Sequence, residues 1–162
     1  MIPYFVGFLS EGSNLLYDIA MRSAERPKVG VGIFLIKDNK LLLGRRKGSH
    51  GAGEYGLPGG HLELNESFEG CVIRELGEEA GTDIKIKTPK FLCVTNLRKY
   101  APRHYVDIGM LAEWVSGEAV VAEPDKKEPW GWFSLDKLPS PLFGCTENYI
   151  EAYKTGKTYF EE

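Results

Sequence analysis

The segment RELGEE at residues 74–79 gathers Arg74 with three glutamates, Glu75, Glu78 and Glu79. Carboxylates one helical turn apart are hard oxygen donors. They suit a divalent cation such as Mg²⁺, with Mn²⁺ as the alternative, which keeps open positions for water and phosphate oxygens. A cation held this way neutralises phosphate charge and acidifies a bound water, so the residue types suit a metal site that meets water and phosphate oxygens.

The spacing strengthens that reading. On a wheel of about 100° per residue with Val72 as origin, Phe68, Leu76, Ala80 and Ile73 fall between roughly −40° and +100°, a sector expected to be buried. Glu79 falls inside it at about −20°, Glu75 at its edge near −60°, and Glu78 further round near −120°. Glu75 and Glu79 are also an i,i+4 like-charge pair in the C-terminal half of the helix, where the helix dipole disfavours anions. A solvated acidic face with Arg74 pairing Glu78 is the simpler alternative, but it leaves Glu79 in the apolar sector, where an unpaired carboxylate is costly.

Other residues could bind a ligand. Arg45 and Arg46 precede a glycine loop at 48–53, where guanidinium forks could grip phosphates or simply stay solvated at a strand end. His61 follows Gly60 and could hydrogen-bond a phosphate or hold its loop. Tyr55, Asn96 and the loop at 142–144 offer a ring that can stack and an amide that can pair with a base edge, or ordinary strand and core positions.

These groups need elements to position them. Residues 28–37 (KVGVGIFLIK) and the run LLLG after Asp38-Asn39 read as two strands joined by a tight turn. Ser67 can cap a helix reaching Ala80, with Gly81 as its stop. Residues 84–97, 105–115 and 130–135 read as strands, 118–129 as a charged loop, and 145–154 as a final helix. Residues 1–27 form an extension in which Leu15, Leu16, Ile19 and Ala20 could line a short helix, either docking on the domain 28–162 or acting as a dimerisation arm.

With 162 residues and 43% hydrophobic content, one domain with its own core is expected. Three scattered cysteines, Cys71, Cys93 and Cys145, match neither a disulfide framework nor a thiolate metal site, and a reducing, cytoplasmic setting follows as the default. The apolar run at 2–9 is too short for a membrane helix and lacks the basic start of a signal peptide. A net charge of −3 argues against polymeric nucleic acid as partner, so a phosphate ligand must be held by local cations.

The same residues resemble the Nudix box, G-x5-E-x7-R-E-U-x-E-E-x-G-U with U a bulky aliphatic residue. Gly60, Glu66, Arg74, Glu75, Leu76, Glu78, Glu79 and Gly81 match it in register, and Thr82 departs from it at a packing position. The resemblance covers about residues 28–142. Through 45–58 and the stretch EPDKKEPWGWF at 123–133 it is similar to MutT-type nucleotide hydrolases, including those acting on nucleotide pools and thiopurine nucleotides.

What the resemblance implies is an α/β fold, the Nudix-type α/β/α sandwich with a mixed sheet. It implies Glu75 and Glu79 as principal metal ligands, Glu78 as further ligand or base, the Gly60 carbonyl completing the site, and Arg74 orienting Glu75. Glu66 takes a supporting role at the helix start. Glu128, with Glu123 as rival, resembles a later acid that binds a second metal or acts as base. The implied substrate is a nucleoside triphosphate cleaved to monophosphate and pyrophosphate. Hydrolysis of dinucleoside polyphosphates (Tyr100 being the relevant residue), ADP-ribose or nucleotide sugars is the alternative within the superfamily, and a non-catalytic nucleotide sensor the alternative outside enzymes.

Overall fold

A computed structural model describes residues 26–47, 51–120, 125 and 128–162. The expected helix around Leu15 to Ala20, the docking or dimerisation role of the extension, and Glu123 lie outside the described residues.

The chain opens with strand β1 (Lys28–Lys37), which returns as β2 (Lys40–Arg45). Asp38 and Asn39 both take positive φ, 48° and 58°, as a two-residue hairpin whose twist matches its strands requires. Two short strands follow, β3 (Tyr55–Gly56) and β4 (Gly59–His61), then helix α1 (Phe68–Ala80). The expected strand at 84–97 is divided into β5 (Lys85–Ile86) and β6 (Lys90–Leu97), separated at Pro89, which lacks the N–H a ladder needs. Strands β7 (Tyr105–Ser116) and β8 (Gly131–Ser134), helix α2 (Thr146–Thr155) and strand β9 (Tyr159–Glu161) complete the order.

The strands form one mixed sheet in the order β3-β2-β1-β7-β6-β9, with β4 beside β1, β5 beside β7 and β8 beside β2. The β1–β7 and β6–β9 pairs are parallel. Both faces of the sheet are covered, which is why β1 reads apolar along its length. Val31, Ile33 and Leu35 of β1 join Leu42 and the α1 residues Cys71, Val72, Leu76 and Ala80 in one core. Phe34, Leu41 and Leu43 join Tyr149, Ile150 and Ala152 of α2 in the other. The result is the α/β/α sandwich with a mixed sheet.

The buried arc of α1 differs from the expected sector. Its buried residues are Cys71, Val72, Glu75, Leu76, Glu79 and Ala80, an arc from about −100° to +80° on the same wheel. Ile73 falls outside this arc and is 63% exposed, while Phe68, one turn ahead of the first buried residue, is 42% exposed. The arc is tipped toward the carboxylates because Glu75 and Glu79 pack against the backbone of β4.

Candidate active site

Helix α1 starts where Ser67 Oγ accepts a hydrogen bond from the Gly70 amide, 3.0 Å, satisfying one of the free N–H groups of the first turn. From that start, Glu75 and Glu79 come round to face β4, and only 8% and 9% of their surfaces remain exposed. A Cβ built on Gly60 would overlap the Glu75 carboxylate, so the backbone approaches this acid as only glycine permits. The neighbouring Gly59 amide donates to Glu79 Oε2 at 3.0 Å, and Trp130 Nε1 donates to the Glu79 carbonyl at 2.9 Å.

Arg74 links the helix to the loop before it. Its Nε and Nη2 donate to the two carboxylate oxygens of Glu66, its Nη1 donates to Glu75 Oε1 at 2.8 Å, and Nη2 also reaches the His61 carbonyl at 3.0 Å. Glu78 is engaged by the same Nη1 at 3.4 Å, but its side chain is 56% exposed. The i,i+4 pair with Glu78 therefore exists, and it is the longest of the ion pairs Arg74 makes.

The charges respond to this packing. Arg74 and the Glu63 amide hold the Glu66 carboxyl down at about 2. Burial pushes Glu75 up, Arg74 opposes that, and Glu79 and Glu78 add to the rise. The Cys71 thiol is pushed up to about 12 by burial and by the charge of Glu66, so it stays protonated. Burial also lowers His61, with Lys28 adding to the effect, and the ring lies stacked on Tyr105 with centroids 5.7 Å apart.

A cavity of about 430 Å³ opens beside the acids. It is lined by Arg46, Gly59, Gly60, His61 and Glu79 and also by Leu57, Leu97, Tyr105, Asp107, Phe143 and Cys145. The guanidinium of Arg46 sits 4.1 Å over the Phe143 ring. Its pKa is lowered by burial, and the charge of Glu79 counters that first among its neighbours.

Several expected residues are elsewhere. Arg45 is half-exposed, donates through Nε to the Gly53 carbonyl at 3.1 Å and pairs with Glu128 at 3.6 Å, so neither lines the cavity. Asn96 donates to Glu161 and meets His104 at 2.6 Å near the sheet edge formed by β9; its amide is held there, away from the cavity. Tyr55 packs edge-on against Phe133, 5.6 Å away, as a core-flanking ring. Of the loop at 142–144, Phe143 reaches the cavity. Tyr100 stacks on Phe143 at 5.1 Å, accepts from the Gly144 amide at 2.8 Å and donates to Glu54 at 3.2 Å, which fixes the loop. Sequence reasoning passed over Asp107, Tyr105 and Cys145. The available signal was Asp107, an acid set between Val106 and Ile108 near the start of β7.

Among the described residues, no three His, Cys, Asp or Glu side chains converge as a ready-made metal cage. The donor set still fits a hard divalent ion. Buried Glu75 and Glu79 face the glycine backbone of β4, with Glu78 exposed on the same helix, and Glu79 and Glu78 both raise the Glu75 carboxyl. That arrangement is rich in oxygen and in mutual repulsion, the condition a divalent cation relieves.

An α/β/α sandwich that turns a helix of acids toward a glycine strand beside such a cavity defines a class of hydrolase. The NUDIX domain model matches residues 26–153, and the chain belongs to the Nudix family, as a hydrolase acting on phosphorus-containing acid anhydrides. It is 37% identical over 132 residues to an ADP-ribose pyrophosphatase of Methanocaldococcus jannaschii, which spans 81% of this chain and 75% of that protein. It is 30% identical over 131 residues to an NAD-capped RNA hydrolase, NudC, of Stutzerimonas stutzeri, covering 80% of this chain but 45% of that one. The crystal structure of a MutT NUDIX hydrolase from Burkholderia pseudomallei superposes with a TM-score of 0.74 at 41% identity, covering 79% of this chain and 98% of the other. Nudix hydrolases generally use a divalent metal. Among the described residues, no helix is long and apolar enough to cross a membrane.

Proposed function

We propose that this chain is a Mg²⁺-dependent nucleoside triphosphate pyrophosphohydrolase, releasing a nucleoside monophosphate and pyrophosphate and clearing modified nucleotides from the pool. The observation that carries the reading is the cavity. It brings the charged groups of Arg46 and Glu79 and the Gly60 backbone together with Leu57, Leu97 and Phe143 in one lining. Its volume of about 430 Å³ is in the lower part of the ligand-pocket range and suits one nucleoside with its phosphates better than two.

In this reading Glu75, Glu79 and the Gly60 carbonyl hold the metal, with Glu78, exposed on the same helix, as a further ligand or base. A bound divalent cation supplies charge neutralisation at the phosphate oxygens and lowers the pKa of water. Arg46 grips the phosphate chain with a guanidinium already oriented by Phe143. Arg74 positions Glu75, and Glu66 positions Arg74. A glutamate accepts the proton of the attacking water as it adds to phosphorus and the anhydride oxygen leaves. Glu128, paired with Arg45, would have to leave that partner to take part.

A second reading, hydrolysis of ADP-ribose, is supported by the relative at 37% identity named for that activity. A hydrolysis screen with Mg²⁺ over nucleoside triphosphates, diphosphates, dinucleoside polyphosphates, ADP-ribose and nucleotide sugars, with products separated by chromatography, tests both. Monophosphate plus pyrophosphate from a triphosphate is the expected result. Cleavage confined to ADP-ribose or dinucleotides would move the substrate class, and tight binding with no turnover would point to a sensor.

A further inference from the structure

Asp107 lies in β7 among Val106, Ile108 and Gly109, opposite Gly30 of β1, and the chemistry above gives it no task. Its two carboxylate oxygens have different surroundings. Tyr149 Oη and Cys145 Sγ, the latter at 3.2 Å, both donate to Oδ1. Among the described residues nothing donates to Oδ2. That oxygen lies 2.7 Å from the point where a side chain at Gly30 would begin, and the Gly60 carbonyl lies 4.0 Å from the same point. Asp107, Gly30 and Gly60 all line the cavity, and Oδ2 fills the space that a side chain at Gly30 would need.

Resting on the nucleotide reading, we propose that Asp107 is the specificity-determining residue of this cavity. Its Oδ2 accepts N–H groups of the nucleobase, so the cavity prefers a base that presents two adjacent N–H donors, as the amide and amine edge of guanine does. Burial pushes the Asp107 carboxyl up and the Tyr149 and Cys145 hydrogen bonds oppose that; in the ionised form Oδ2 has only lone pairs to offer. Adenine and cytosine place a ring-nitrogen acceptor beside their amine, and uracil flanks its N–H with two carbonyls, so each brings a lone pair against the carboxylate. The cost of a polar group left unpaired in a partly closed site makes such a contact selective. Tyr149 and Cys145 fix the carboxyl rotation, so the acceptor is presented ready-made.

The test is calorimetric binding of GMP, IMP, AMP, UMP and ribose 5-phosphate, without metal, to the wild-type chain and to Asp107→Asn. Because Tyr149 and Cys145 donate to one oxygen, the asparagine must keep its carbonyl there and put its NH₂ in place of Oδ2, exchanging acceptor for donor at nearly constant shape. The wild type should bind GMP at least about tenfold tighter than AMP, with IMP, which lacks the amine, between them. D107N should lose that GMP-over-AMP ratio by at least about tenfold, with ribose 5-phosphate unchanged. Gly30→Ala, which sets a methyl against Oδ2, should give the same selective loss, and it carries the test if D107N melts early. An unselective wild type, an unchanged ranking in both variants, or an equal loss for every ligand overturns the assignment. A wild-type chain that hydrolyses triphosphates but ranks bases without regard to Asp107 sinks this inference alone, whereas one that hydrolyses no triphosphate sinks the reading beneath it.

Discussion

Arg74 and Glu66 form a two-pronged ion pair, with Nε and Nη2 donating at 2.8 and 2.9 Å to the two carboxylate oxygens. The pair joins the helix to the loop that precedes it and leaves Nη1 aimed at Glu75. Parallel bonds of this kind fix orientation as well as charge, so Glu66 acts on the site through Arg74.

The pair has a pH signature. Glu66 falls from its ordinary 4.5 to about 2 in the folded chain, so the folded state favours its ionised form. A carboxyl depressed on folding contributes stability that is present above its unfolded pKa and lost as pH falls through the folded one. The melting temperature of the wild type should therefore decline between about pH 4.5 and pH 2 by more than that of Glu66→Gln. Parallel curves for the two proteins would remove the pair from the stability of the fold.

Glu75→Gln keeps the volume and removes a charged oxygen from the acid that Gly60 is shaped around. Turnover should fall by more than about 100-fold, beyond the 10–100-fold typical when a residue supporting a metal ligand is changed. In chelator the variant should melt at or above the wild-type temperature, since it removes a buried charge that Glu79 and Glu78 repel while its amide oxygen can still accept from Arg74. Marked destabilisation in chelator would make Glu75 a structural acid.

Arg46 is held over Phe143 and faces the acids, so its planar fork matters as well as its charge. Arg46→Lys should raise KM for a triphosphate by roughly tenfold, because an ammonium neither stacks as well nor bonds two phosphate oxygens in a plane. Steady-state kinetics separates this from an effect on kcat. An unchanged KM would leave Arg46 as a support for the Phe143 loop.

Tyr100→Phe removes the hydroxyl that bridges Glu54 and the Gly144 amide while keeping the ring on Phe143. Stability should fall by about 1 kcal/mol, the usual net worth of a hydrogen bond, and KM should rise as the loop loosens. Loss of stability with unaltered kinetics would show that the loop keeps its place without the bridge.

How far the sequence carried depends on the scale of each signal. The hairpin at Asp38-Asn39, the Ser67 cap and the central strand β1 are local, and turn chemistry or apolar patterning marks each of them. Burial of Glu75 and Glu79 follows from the helical period, although the arc is tipped from the expected one because the glycine backbone of β4 draws the acids inward. The strands Tyr55–Gly56, Gly59–His61 and Tyr159–Glu161 are too short to carry a period and exist because neighbouring strands pair with them. Asn96 and Tyr55 stand out by chemical type alone, and while His104 lies eight residues beyond Asn96, Glu161 and Phe133 lie far along the chain. The Asp107, Tyr149 and Cys145 cluster joins residues about forty positions apart, which only the β7–α2 packing brings together.

Gly60 tests whether the site depends on close backbone approach. Gly60→Ala adds one carbon at a point already filled by the Glu75 carboxylate, with all of that side chain's nearest atoms in overlap. Strand β4 has only three residues and pairs with β1 through Val31↔Gly60, so the backbone has little room to retreat, and the carboxylate must move instead. Moving it breaks the 2.8 Å contact with Arg74 and takes an oxygen from the place where it would meet the metal. The expected outcome is a folded protein with kcat reduced on the order of 10²-fold, since misplacement by about an ångström is enough for such a loss. Added Mn²⁺ should restore little of it, because the donor is displaced rather than weakened. A Gly60→Ala protein with wild-type kcat would show that Glu75 can work from a different position, and that the close packing of β4 on α1 serves the fold and not the chemistry.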